Sequence, residues 1–159
     1  MSQAAKTDDP KTDDPKTGDP KTGDPKTVGF LLVPGFALMS YAAAMEPLRA
    51  ANLLSGKRLY RWWHAAPTSE PVTASNGVAI IPDFGTDTDR AADIVFVCAG
   101  GNPATFSDKA TFAWLRRLAR RGTTLGGISG GPYILARAGR CSQWSVARRA
   151  SSRPARARM

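Results

Sequence analysis

The chain has 159 residues, 42% of them hydrophobic and 22% charged, with 15 Gly, 12 Pro, two Cys and a single His. That length suits one domain, and the apolar share is that of a globular protein. His64, Cys98 and Cys141 stand apart in sequence. Their isolation excludes a structural zinc site, which needs about four closely spaced ligands. It also excludes a disulfide framework and points to a reducing, cytoplasmic compartment.

The longest charge-free run, Thr27 to Met45, is long enough to test as a membrane span, but Pro34-Gly35, Ser40 and Tyr41 interrupt it. The segment before it holds five Lys against six Asp, unlike the positive flank of a signal peptide. Neither export nor membrane insertion is expected. The net charge of +9 divides unevenly: −1 in residues 1–27, +4 in 28–139 and +6 in 140–159. Basic charge marks a binding surface when it lies on a folded face, and most of it here lies in the last 20 residues.

Residues 1–27 carry a tandem repeat, Lys-Thr-Asp-Asp-Pro from Lys6 and Lys11 and Lys-Thr-Gly-Asp-Pro from Lys16 and Lys21. With no apolar residue to bury and a proline in every unit, this segment is expected to be disordered. Val28 to Val33 is a continuous apolar run stopped by Pro34-Gly35, the pattern of a strand buried on both faces. Leu38, Ala42, Met45 and Leu48 then fall at helical spacing, and Pro47 should kink that helix or sit near its start. Leu59 to Ala66 predicts a strand, and Val72 to Ile81 a hairpin turning at Asn76-Gly77. Asp93 to Cys98 predicts a second buried strand, ending in Ala99-Gly100-Gly101-Asn102. Ser107 is the expected cap of a helix with Phe112, Leu115, Leu118 and Ala119 on one face and Gly122 as its stop. Thr123 to Ile128 reads as another strand, followed by Ser129-Gly-Gly-Pro132 and an apolar helix to Gly139. Strands alternating with helices over 28–139 predict an α/β domain with a parallel sheet and helices on both faces. Residues 140–159 are Arg, Ala and Ser with little else, Trp144 and Val146 being their large apolar side chains. An Arg-rich, disordered tail is expected there, able to bind nucleic acid weakly and without sequence preference.

Gly127-Ile-Ser129-Gly-Gly131 is a Gly-x-Ser-x-Gly pattern on a strand-to-helix turn, where a nucleophile would sit at a helix N-terminus. Read alone it suggests a serine hydrolase elbow, which needs a His base after the Ser. No His follows Ser129, and His64, directly after Trp62 and Trp63 in an upstream strand, reads as a packed structural residue. Gly100, Gly101 and Asn102 end the preceding strand, and ligands of open α/β sheets bind beyond the strands' carboxyl ends. Ser129, Gly130, Gly100, Gly101 and Asn102 are therefore expected to line one small anion- or carbonyl-binding cleft. Cys98 reads as a core residue. Arg116, Arg117, Arg120 and Arg121 read as a solvated helix face, and Arg148-Arg-Ala-Ser151 as a kinase-like motif with nothing to support it.

Five segments carry a family resemblance: Val28 to Phe36, Met45-Glu-Pro-Leu-Arg-Ala-Ala-Asn52, Ala99-Gly-Gly101, Gly126 to Gly131 and Leu135-Ala-Arg-Ala-Gly139. With them, residues 28–139 resemble the N-terminal domain of GlxA-type AraC-family transcriptional regulators, from the ThiJ/PfpI branch of the class I glutamine amidotransferase-like superfamily. The resemblance implies a flavodoxin-like parallel sheet sandwiched by helices, incomplete at its C-terminal side. ThiJ/PfpI enzymes use an elbow Cys, a carboxylate on the first helix and often a downstream His. Ser129 stands at the Cys position and Ser40 near the carboxylate position, so the resemblance implies no catalytic residue, no cofactor and no metal. It implies a non-catalytic sensing domain for a small metabolite, quaternary amines and amino acids being the candidates. The alternative is a hydrolase, amidase or glyoxalase working through Ser129. Regulators of this group continue into a DNA-binding part of two helix-turn-helix units, for which 20 residues have no room, so a truncated or frameshifted frame is the expectation and a genuine Arg-rich arm its rival. The expected partner is a small metabolite, with no specific DNA site and no membrane; a homodimer is left open. A chain stopping after the elbow helix is further expected to leave Val28–Val33, Ile94–Val97 and the Tyr133–Ala136 helix uncovered, and to fold poorly alone.

Overall fold

The computed structural model describes residues 23–139. Chain order is β1 (Lys26–Leu32), α1 (Leu38–Ser55), β2 (Tyr60–Ala66), β3 (Val72–Thr73), β4 (Ala79–Ile80), β5 (Phe84–Gly85), β6 (Ile94–Ala99), a 3-10 turn (Pro103–Thr105), α2 (Lys109–Arg120), β7 (Thr124–Ser129) and α3 (Gly131–Arg137). Five strands make one parallel sheet in the order β5-β2-β1-β6-β7, while β3 and β4 form a separate antiparallel hairpin. The repeat through Thr22 and the Arg-rich segment from Arg140 lie outside the described residues.

β1 is central because its side chains satisfy both faces. Leu31 and Val33 join Val95, Val97, Phe112, Trp114, Leu115, Ile134 and Leu135 on the side covered by α2 and α3. Val28, Phe30 and Leu32 point the other way, to Phe36, Tyr41, Cys98 and the inner side of α1. This corrects most of the expectation of uncovered segments: Val28, Phe30, Leu31, Leu32, Val33, Val95, Val97, Ile134 and Leu135 are buried, while Ile94 and Phe96 are half-buried and Tyr133 and Ala136 exposed. The open edge belongs instead to β7, whose interior residues Leu125–Ile128 are half-buried.

Other boundaries moved for local reasons. β1 begins at Lys26, not Val28, because the amide of Lys26 donates to Leu59 O and that of Thr27 to the Asp93 carboxylate. Asp108 caps α2 in place of Ser107, its Oδ1 accepting from the Thr111 amide at 2.6 Å. Pro47 stands inside α1, which runs on to Ser55. The two-residue strand β5 was not anticipated; it pairs Phe84 with Ala65 and Gly85 with Ala66. Arg117 and Arg121 are not merely solvated, since both bond Asp89 and tie α2 to the loop before β6.

The Glu-Pro-Leu-Arg-x-Ala-Asn stretch ends in a clamp. Asn52 Oδ1 accepts from the amides of Leu59 (2.8 Å) and Tyr60 (2.9 Å), and its Nδ2 donates to Tyr60 O at 2.8 Å. One carboxamide thus fastens the end of α1 to the start of β2, a job only a side chain with both donor and acceptor can do.

Candidate functional site

β1, β6 and β7 are consecutive in the sheet, so their carboxyl ends lie side by side. Ser129, the last residue of β7, is in register with Ala99, the last residue of β6. The Gly130 amide donates to Ala99 O at 3.0 Å. A Cβ placed on Gly130 would stand 3.2 Å from Pro103, which follows Gly100-Gly101-Asn102 directly. The two glycine-rich segments therefore touch. The sequence missed a third wall: a Cβ on Gly100 would meet Gly35 O at 2.6 Å and the Ala37 nitrogen at 2.9 Å, so the β1–α1 loop closes on the same place. Pro34-Gly35, which ends the first strand, was the available signal.

Ser129 is strained. Its φ of 55° makes it the one described non-glycine residue with positive φ, a conformation costing an L-residue about 1–2 kcal/mol. The turn persists because α3 must start close beneath the sheet, where any side chain at Gly131 would strike the Val97 carbonyl. This is the geometry of a nucleophile elbow. Among the described residues, the amides of Gly100 and Gly101 engage no protein acceptor. Asn102 spends its Oδ1 on the Ala104 amide, capping the 3-10 turn.

The groups that would make such an elbow reactive are employed elsewhere. His64 lies on β2, three strands from β7, or about 14 Å at ordinary strand spacing. Its Nε2 is 2.8 Å from the Tyr41 hydroxyl, its Nδ1 is 3.5 Å from Asp83 Oδ2, and its ring stacks on Phe30. Burial lowers the His64 pKa, against a smaller opposing pull from Asp83. Cys98, on β6, is a buried core thiol pushed up to about 12 by desolvation, and so stays protonated. Ser40 stands in the first turn of α1. A depression of about 700 Å³ lies at the opposite, amino-terminal end of the sheet. Its basic side chains are already occupied: Lys26 pairs with Asp93, Arg121 with Asp89, and Arg90 lies over the Phe84 ring. No group of three or more metal-ligating side chains occurs among the described residues. No helix among them is long and apolar enough to cross a membrane.

The chain is similar to several known proteins. The chain is 49% identical over 113 residues to the HTH-type transcriptional regulator GlxA of Rhizobium meliloti (strain 1021), covering 70% of this chain and 35% of that protein. It is 44% identical over 113 residues to the HTH-type transcriptional regulator GbdR of Pseudomonas aeruginosa (strain UCBPP-PA14), covering 71% of this chain and 31% of that one. An AraC family transcriptional regulator from Pseudomonas putida superposes with a TM-score of 0.63 at 26% identity, over 72% of this chain and 62% of that chain. A THiJ/PfpI family protein from Pseudomonas syringae shares the fold, with a TM-score of 0.59 at 20% identity over 82% of this chain and 55% of that one. No family model matches the chain. The described residues share the fold of the THiJ/PfpI family protein and are similar in sequence to HTH-type transcriptional regulators such as GlxA and GbdR. The chain spans about a third of the length of the curated relatives it matches.

Proposed function

We propose that this ThiJ/PfpI-like domain is a non-catalytic small-molecule sensor of an AraC-type transcriptional regulator. The observation that carries the reading is the retained elbow without its chemistry. Ser129 keeps the strained turn beside Gly100 and Gly101, while the described histidine and thiol serve the core. An unassisted Ser hydroxyl is a poor nucleophile. Two unspent amides and a hydroxyl can instead donate hydrogen bonds to the carboxylate or carbonyl oxygen of a small metabolite. The Asn102 amide group, its oxygen already used as a cap, would supply the remaining donor. In a longer regulator of the kind the relatives are named for, ligand occupancy here would bias attached helix-turn-helix units, and the setting would be the cytoplasm.

Thermal-shift titration of the full chain with a panel of amino acids and quaternary amines tests this reading. At least one compound should raise the unfolding midpoint, and Ser129→Phe should abolish that rise while leaving the unliganded midpoint in place. Esters, amides and 2-oxoaldehydes should not be turned over. Turnover lost in Ser129→Ala would overturn the proposal.

A further inference from the structure

Arg137 belongs to the Leu135–Gly139 segment, to which the cleft as described gives no task. It is the last residue of α3. An arginine in the final turn of a helix ordinarily serves the carbonyls of its own helix end. Here the amides of Ala138 and Gly139 already donate to Ile134 O and Ala136 O. The Arg137 guanidinium crosses instead to the segment after β6. Its Nη1 donates to Ala104 O at 2.8 Å and also to Phe106 O. Its Cζ stands 5.4 Å from the centre of the Phe112 ring, which in turn meets Phe106 edge-on at 5.7 Å.

The turn it grips is weak by itself. Pro103–Thr105 is three residues of 3-10 helix, whose hydrogen-bond geometry is poorer than that of an α-helix. Its other bonds are internal. The Asn102 side chain accepts from the Ala104 amide, Asn102 O accepts from the amide and hydroxyl of Thr105, and Pro103 O accepts from the Phe106 amide. Immediately before it, Gly100 and Gly101 have no side chains to fix them, and Gly101 takes a φ of 54°. Their amides can act together on one ligand oxygen only if both ends of the dipeptide are held. One end is Ala99, whose carbonyl accepts from the Gly130 amide at 3.0 Å. The other is the turn, packed against Gly130 through Pro103 and gripped by Arg137. Gly130 precedes α3 and Arg137 closes it. One seven-residue helix, about 10 Å long, thus fixes the cleft loop from both sides.

We propose that Arg137 is the positioning residue of the cleft, acting through the 3-10 turn to hold Gly100–Asn102 where two amides face one ligand oxygen. The inference rests on the reading of that cleft as a site for a carboxylate or carbonyl oxygen. A preorganised loop has less ordering to do on binding, so the role shows in affinity as well as in local opening. Nuclear magnetic resonance of the isotope-labelled full chain tests it, with sodium acetate as the probe. Without acetate, Arg137→Met, which keeps the apolar stem and removes the donors, should speed amide exchange at Ala104, Thr105 and Phe106 about five- to tenfold. Val95 and Val97 of β6 should keep their rates. Arg137→Lys restores a donor but not the flat guanidinium, and should recover part of the protection. Acetate should shift the Gly100 and Gly101 amides of the wild type, and Arg137→Met should raise its dissociation constant by a similar factor. Exchange that quickened across β6 as well would make Arg137 a general structural residue, and unchanged local rates in Arg137→Met would mean that the turn holds itself. Either result overturns the inference. Acetate that moved neither amide of the wild type would overturn the ligand reading, with the exchange rates still deciding what Arg137 holds.

Discussion

Tyr41 Oη and His64 Nε2 lie 2.8 Å apart, joining α1 to β2 through the inside of one sheet face. Asp83 completes the relay, its Oδ2 accepting from the His64 backbone amide at 2.6 Å while lying 3.5 Å from the ring Nδ1. Burial lowers the folded-state pKa of this histidine and raises that of Tyr41 to about 12, so the resting pair is a neutral imidazole and a neutral phenol.

The sign of the pH dependence follows. With its folded pKa below the unfolded value of about 6.5, His64 binds protons more readily in the unfolded chain. Its contribution to stability is complete above about pH 6.5 and is lost as pH falls through the folded pKa. Urea unfolding between pH 7.5 and 5 should show falling stability in the wild type and a flatter profile in His64→Gln. An equally steep profile in the variant would assign the slope to other groups.

Asn52→Ala should cost about 2–3 kcal/mol, because it strands the amides of Leu59 and Tyr60 together with the Tyr60 carbonyl. Asn52→Asp keeps the two acceptor contacts and loses only the donor, so it should cost roughly half as much. Denaturant midpoints of the three proteins measure the order, and equal losses would argue against the clamp.

Ser129→Gly should stabilise the chain by about 0.5–1 kcal/mol. It relieves the positive φ, partly offset by the greater backbone freedom that glycine gives the unfolded chain. Ser129→Ala keeps the strain and should leave stability near wild type. A Gly variant no more stable than the Ala variant would mean that the elbow stores no strain.

At the start of α2, Asp108→Ala should cost about 1 kcal/mol through loss of the bond to the Thr111 amide. Ser107→Ala should change the thermal midpoint little, and the reverse order would return the cap to Ser107.

Much of this architecture was legible in the residues. The apolar runs at Val28–Val33 and Asp93–Cys98, the Asn76-Gly77 turn and the Gly127–Gly131 elbow are short-range patterns, and each resolved into the element it implied. Their physical basis is local: period, turn chemistry and the need to bury a continuous apolar run act over a few residues. The touching of Ser129 and Gly101 segments was likewise foreseeable, since both close parallel strands. Less visible was the cap at Asp108, one residue from an equally good Ser, because only the backbone path chooses between adjacent capping side chains. β5 escaped notice because two residues cannot display a period.

The sequence alone determined which of the longer segments became strands and helices, and that the elbow carries a hydroxyl rather than a thiol. Tertiary structure decided the rest. It placed β1 at the sheet's centre, where Phe30 and Leu31 fill opposite layers, and left β7 at the edge. It closed the Pro34–Ala37 loop onto Gly100, and it turned Met39, Leu53 and Leu54 outward together. Strand order and helix facing are settled by which apolar surfaces can be covered at the same time, and that competition involves residues far apart in the chain.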